Sequence, residues 1–210
     1  MKEYLIPTAA AEVEVIEKRS RFIGRIYPVT TEAEAQAHLI ALRAEHRAAN
    51  HNVFAYVVRE GNLLRYSDDG EPQGTAGQPT LNVLVKEEVT NVLCTVTRYF
   101  GGTLLGAGGL VRAYAQTAKA ALDAAGISIV REWQRLTLGC SYPQYERLSK
   151  TATDHGAVIE DTNFAADVTL TLLIPAPEAA TFRTQMTEAT AGTAIITEQD
   201  IVEVPVPLKV

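Results

Sequence analysis

Residues 90–126, TNVLCTVTRYFGGTLLGAGGLVRAYAQTAKAALDAAG, hold the organisation of the first half of the chain in one run. TNVLCTVTRYF is apolar and β-branched without alternation, the pattern of a strand buried on both faces. It runs into Gly101-Gly102, and a second glycine group (Gly106, Gly108, Gly109) opens a helix. Leu110, Tyr114, Thr117, Ala121 and Ala125 fall on one helical face, with Arg112, Gln116, Lys119 and Asp123 on the other. Gly126 stops that helix. A strand, a glycine loop and an amphipathic helix in succession specify a mixed α and β domain.

The glycine stretch fits neither nucleotide motif. Gly101 and Gly106 have P-loop spacing, but Ala107 stands where the lysine belongs. Gly106 and Gly108 begin a dinucleotide fingerprint, and Val111 fills its third glycine position. Backbone amides at a helix start still attract negative charge. Arg112 is placed in the first helical turn, where a cation opposes the helix dipole unless an anion joins it, and Arg98 sits just before the loop. Arg98, Gly101, Gly102, Gly106, Gly108, Gly109 and Arg112 are therefore a candidate site for an anion or an acidic partner. Glycines that merely permit tight turns are the alternative.

Upstream, residues 67–80 read SDDGEPQGTAGQPT. Asp68, Asp69 and Glu71 could hold a hard cation or do acid–base work. Asp-Gly and Gln-Pro also make turns whose aspartates accept backbone amides, which reads as a structured recognition loop. His46 and His51 lie five residues apart across a helix end, a pair without a third ligand nearby. Arg19, Arg21 and Arg25 recur at a strand period, either a solvated face or a contact for acidic partners. Ser67 and Ser141 lack a nucleophile-elbow setting, and Cys94 and Cys140 sit in apolar strand-like runs, so no nucleophile is assigned.

Outward from these motifs, AEVEVIE and SRFIGRIYPV form a strand pair, TEAEAQAHLIALRAEH a helix with Thr31 and Glu34 spaced as a capping box, and VFAYVVREGNLLRYSDD a hairpin. After residue 132 the order becomes βαββαβ, a ferredoxin-like pattern. The expected domains are 1–132 and 133–210. Nothing resembles a signal peptide or a membrane span, and a cytoplasmic protein is expected. Net charge is −6, which argues against coating a polyanion. Residues 1–130 carry 13 Lys/Arg against 14 Asp/Glu, and residues 131–210 carry 6 against 11, so the first part is the better place for any anionic partner.

YSDDGEPQGTAGQPTLNVL followed by VTRYFGGTLLGAGGLVRAYAQTAKAAL resembles the IMPACT/YigZ family, with KRSRFIGR and the H-x4-HN pattern at 46–52 preceding them. The resemblance implies an α+β protein: an N-terminal ribosomal protein S5 domain 2-like domain, then the ferredoxin-like domain of the prokaryotic-type members. It also implies a non-enzymatic regulator of translation or stress response, with a ribosome, RNA or a translation-associated protein as partner. No membrane, specific DNA site, cofactor, metal or catalytic residue is expected. The alternative is an enzyme or binding protein for a small phosphorylated ligand beside the glycine loops.

Overall fold

A computed structural model describes residues 3–208 as two compact units. Residues 4–129, with residues 205–208, form one unit, and residues 130–204, with Glu3, form the other. The elements are β1 (Tyr4–Pro7), β2 (Ala11–Glu17), β3 (Ser20–Pro28), α1 (Glu32–Glu45), β4 (His51–Val58), β5 (Leu63–Ser67), α2 (Gly77–Lys86), β6 (Val92–Tyr99) and α3 (Ala107–Ala125). They continue with β7 (Ile127–Cys140), α4 (Tyr142–Asp154), β8 (Val158–Phe164), β9 (Val168–Pro175), α5 (Ala179–Ala189) and β10 (Ile195–Pro207). The α+β class expected from sequence is observed. No helix among the described residues is long and apolar enough to cross a membrane.

In the N-terminal unit the sheet order is β2-β3-β6-β4-β5, antiparallel throughout. β6 is central and buried on both faces, which is why its sequence is continuously apolar. Val92, Cys94 and Val96 join the cluster with Leu84, Tyr114 and Leu122, whereas Leu93 joins Leu39, Tyr56 and Val58. Burial pushes the Cys94 thiol up to about 12, so it is an inert core group.

Local sequence explains the helix positions. Thr31 caps α1 by accepting the Glu34 amide at 3.2 Å, while the Glu34 carboxylate accepts the Thr30 amide. Leu110, Tyr114, Thr117, Ala121 and Ala125 of α3 are all buried, and their small members let the helix lie close to β3. A Cβ on Gly24 would stand 2.8 Å from the Thr117 methyl carbon.

The arginine stripe differs from its sequence reading. Arg19 lies in the turn between β2 and β3 with φ 69°, off the strand face. Arg21 is paired with Glu14 at 2.7 Å, and Arg25 with Glu12 and Glu45. Acids on β2 and at the end of α1, invisible to a period-two count along one strand, neutralise that face.

In the C-terminal unit β10, β7, β9 and β8 are successive sheet neighbours. Ser141 and Gln144 form a capping box at α4, with Pro143 as the second helical residue. Arg135 spans two carboxylates, Glu160 at 2.6 Å and Asp200 at 2.8 Å. Its hydrogen bonds hold both carboxyls below their ordinary values. A depressed folded value means the stabilisation is complete above the ordinary carboxylate range and is lost as pH falls through the folded values. Arg135→Gln is therefore expected to raise both titration midpoints, read by NMR of the side-chain carboxyl carbons. Unchanged midpoints would contradict the pairing.

Candidate functional site

The loop after β5 is built by its own acids. Asp68 accepts the Gly74 amide with Oδ2 and the Ala76 and Gly77 amides with Oδ1, at 2.8–3.0 Å. It thereby caps α2 from a distance, a task usually done by the residue directly before a helix. Asp69 accepts the Asn52 amide at 2.6 Å, and its carbonyl lies 2.8 Å from His51 Nδ1. A carbonyl can only accept, so Nδ1 carries the proton and Nε2 faces the other way, 3.8 Å from Glu71 Oε1.

Glu71 turns inward. Its side chain is 3% exposed, and Oε1 accepts from Arg98 Nη1 at 2.6 Å and from the Tyr114 hydroxyl at 2.8 Å. One carboxylate thus ties the loop, β6 and α3 together. Burial first, and then the Glu71 charge, push the Tyr114 phenol well above its ordinary range, so it serves as a neutral donor. Arg98 is 5% exposed, lies over the Phe22 and Phe100 rings and donates through Nη2 to Ser20 Oγ at 3.3 Å. Its Nε, closed off from solvent, has no hydrogen-bond partner among the described residues.

The glycine loop closes over this cluster. Ser20 Oγ accepts the Gly101 amide at 3.2 Å and Asn50 Oδ1 accepts the Phe100 amide at 2.8 Å. Gly106 takes φ 70° as the cap of α3, whose first helical bond is Leu110 N to Gly106 O. Arg112 is the sixth residue of α3 and so lies in its second turn, where the sequence had placed it in the first. It folds back nonetheless, with Nη1 3.8 Å from the place of a Cβ on Gly108.

Together these elements enclose a pocket of about 480 Å³. Its polar floor includes His51, Glu71 and Arg98, and its walls include Phe100, Leu104 and Leu110. Leu104 is 83% exposed and Phe100 44% exposed, a pair of large apolar side chains held toward solvent.

The structure thus brings His51, Glu71, Arg98 and Gly106 into one pocket. Asp68 and Asp69 stand behind it as loop organisers. His46 is engaged elsewhere, with Nδ1 2.9 Å from the Tyr99 hydroxyl. Gly101 and Gly102 shape the loop, Gly108 and Gly109 lie in the first turn of α3, and Arg19, Arg21 and Arg25 belong to the β2–β3 hairpin. Among the described residues no group of three His, Cys, Asp or Glu side chains is arranged to hold a metal ion.

Sequence reading missed Ser20, Asn50, Phe100 and Leu104, and took Tyr114 as core alone. Phe100 and Leu104 sat within the glycine stretch and could have been found as apolar residues in an otherwise loop-forming run. Ser20 carried no such signal, since 78 residues separate it from Arg98.

Comparison with known proteins places this geometry. The Impact N-terminal domain matches residues 18–122, which contain the whole pocket, and a domain of unknown function, DUF1949, matches residues 138–193. IMPACT family member YvyE of Bacillus subtilis is 32% identical over 96% of this chain and 93% of its own length. IMPACT family member YigZ of Escherichia coli is 35% identical over 91% and 96%. A solved crystal structure of a hypothetical protein, 33% identical, covers 93% of this chain and 97% of that one with a TM-score of 0.60. The chain belongs to the IMPACT family.

Proposed function

We propose that this chain is a cytoplasmic regulator of translation or stress response that acts by gripping a protein partner with the rim of the N-terminal pocket. Family membership supports the regulatory role in general terms, and the mode of action rests on the site. Its charges are satisfied from within, because Glu71 takes Arg98 and Tyr114, whereas its rim presents Leu104 at 83% exposure. That solvent-held leucine beside Phe100 carries the reading. Apolar side chains around a concave centre suit a protein contact, where a few buried anchors supply most of the binding energy.

RNA or the ribosomal RNA surface is the weaker partner. Arg21 and Arg25 are already paired with carboxylates, and a phosphate backbone needs free cations. The finer fold assignment belongs with the same proposal. The βαββαβ order and the neighbours β10-β7-β9-β8 support a ferredoxin-like C-terminal domain, and the N-terminal unit is read as ribosomal protein S5 domain 2-like. The second reading, an enzyme or binding protein for a phosphorylated compound, draws on one observation: His51 is oriented by the Asp69 carbonyl with Nε2 near Glu71 in the same pocket.

Leu104→Asp tests the first reading in a cell-free translation extract from the host. Because Leu104 is exposed, the change should leave stability within about 0.5 kcal/mol. The wild-type protein is expected to alter translation output and Leu104→Asp to lose that effect, with a roughly thirtyfold weaker partner contact if Leu104 is an anchor. Equal potency of the two proteins would remove the rim from the mechanism.

A further inference from the structure

His51 presents an unmet acceptor at the floor of the pocket. Its Nδ1–H donates to the Asp69 carbonyl at 2.8 Å, which leaves the lone pair of Nε2 free to accept. The polar atom that Nε2 faces is Glu71 Oε1 at 3.8 Å, an acceptor already holding Arg98 and the Tyr114 hydroxyl. Two acceptors cannot bond one another, and among the described residues no donor bonds Nε2. Arg98 does not supply one, since Nη1 goes to Glu71 and Nη2 to Ser20. Of the unbonded ring and guanidinium nitrogens nearby, His46 Nε2 and Arg98 Nε are sealed from solvent, and His51 Nε2 is not. The His51 side chain is 22% exposed and lines the pocket, so the vacant acceptor is open to a donor from outside.

Charge and shape select the donor. A cation is opposed, because Arg98 already answers Glu71 at 2.6 Å and the positive end of the α3 dipole opens at the same pocket. An anion brings no hydrogen to Nε2. The walls, Phe100, Leu104, Leu105 and Leu110, call for an apolar body around a single neutral N–H or O–H. A phenol oxygen asks for a donor as well as giving one, whereas an indole only donates. The volume of about 480 Å³ admits a bicyclic ring.

We propose that the pocket seats a tryptophan side chain of the protein partner, its indole N–H donating to His51 Nε2 and its rings among Phe100, Leu105 and Leu110. The inference deepens the partner contact proposed above and rests on it. A buried aromatic anchor with one satisfied polar atom is the kind of residue that dominates protein contacts.

The experiment is an NMR titration of the full chain with the capped peptide acetyl-Gly-Ser-Trp-Ser-Gly-amide, read at the His51 Nε2 nitrogen. Two matched peptides carry phenylalanine or 3-benzothienylalanine, whose ring has the shape of indole with sulfur in place of the N–H. The tryptophan peptide is expected to move the His51 signal with a Kd below about 2 mM, and the benzothienyl peptide to bind about tenfold more weakly. His51→Leu should make those two peptides bind alike, and the wild-type comparison stands by itself if that variant misfolds. Free 3-methylindole binding more tightly than the tryptophan peptide would overturn a protein residue as the occupant. No movement of the His51 signal at about 10 mM peptide, or equal binding of the tryptophan and benzothienyl peptides, would overturn the indole seat and leave Nε2 facing water. The two proposals fail separately. Translation that loses its response in Leu104→Asp, with His51 silent to tryptophan, sinks the indole seat alone. A His51 response with Leu104→Asp fully potent sinks the rim contact.

Discussion

Glu71→Ala is expected to destabilise the N-terminal unit by about 3–5 kcal/mol, among the largest effects any single substitution here should have. The carboxylate is 3% exposed and holds two donors at once, Arg98 Nη1 and the Tyr114 hydroxyl. Removing it leaves a buried guanidinium without its counter-charge and a buried phenol without its acceptor. It also cuts the link between the loop carrying Glu71, β6 and α3. Denaturant unfolding followed through the amide signals of β6 would report the loss as a shifted midpoint. Two comparisons separate charge from shape. Glu71→Gln keeps an oxygen for one donor and should cost clearly less. Glu71→Leu combined with Arg98→Met removes both charges and should recover much of the loss, since a buried pair replaced by apolar groups is often near neutral. If the double variant were as unstable as Glu71→Ala, packing rather than the stranded charge would be the cause.

That same carboxylate marks where sequence reading reached its limit. The strand and helix of residues 90–126 were legible because each has its own periodicity, and β6 and α3 lie where the pattern put them. The loop acids were legible as turn formers, and Asp68 caps α2 as such residues do. What spacing could not show was the inward turn of Glu71, because its partners come from β6 and α3, 27 and 43 residues further on. Arg98 therefore looked like a free cation for an anion, whereas its charge is largely answered from within. The partners of the arginine stripe were out of reach for the same reason. Glu12, Glu14 and Glu45 reach Arg25 and Arg21 only once β2, β3 and α1 are assembled. Leu104 shows the converse limit: an apolar residue in a loop has no period, and its 83% exposure is a property of the folded chain alone.

Gly101→Ala is the second substitution expected to do heavy damage, about 3 kcal/mol or more, and a matched variant one residue on shows why. A Cβ at Gly101 would lie 2.0 Å from the Arg19 carbonyl carbon and 2.5 Å from the Ser20 nitrogen. Both are backbone atoms of the β2–β3 turn, so no side chain can swing aside to relieve the overlap. The turn or the glycine loop must move, and either movement strains the Gly101 amide bond to Ser20 Oγ and the Ser20 bond to Arg98. Gly102, by contrast, has φ 83° with open space around its missing side chain. Gly102→Ala meets only the backbone penalty of a left-handed conformation, about 1–2 kcal/mol. Thermal unfolding of the two variants should therefore rank Gly101→Ala well below Gly102→Ala, although the usual argument for glycine, a positive φ, applies to Gly102. The reverse ranking would mean that the hairpin turn yields easily. Displacing the loop at Gly101 also moves Phe100 and Leu104 with it, so Gly101→Ala should weaken the partner contact, whereas Gly102→Ala should largely spare the pocket floor. Loss of the partner contact in Gly101→Ala, with Arg98 amide and side-chain signals shifted in the same variant, would tie the hairpin, the glycine loop and the pocket into one mechanical unit.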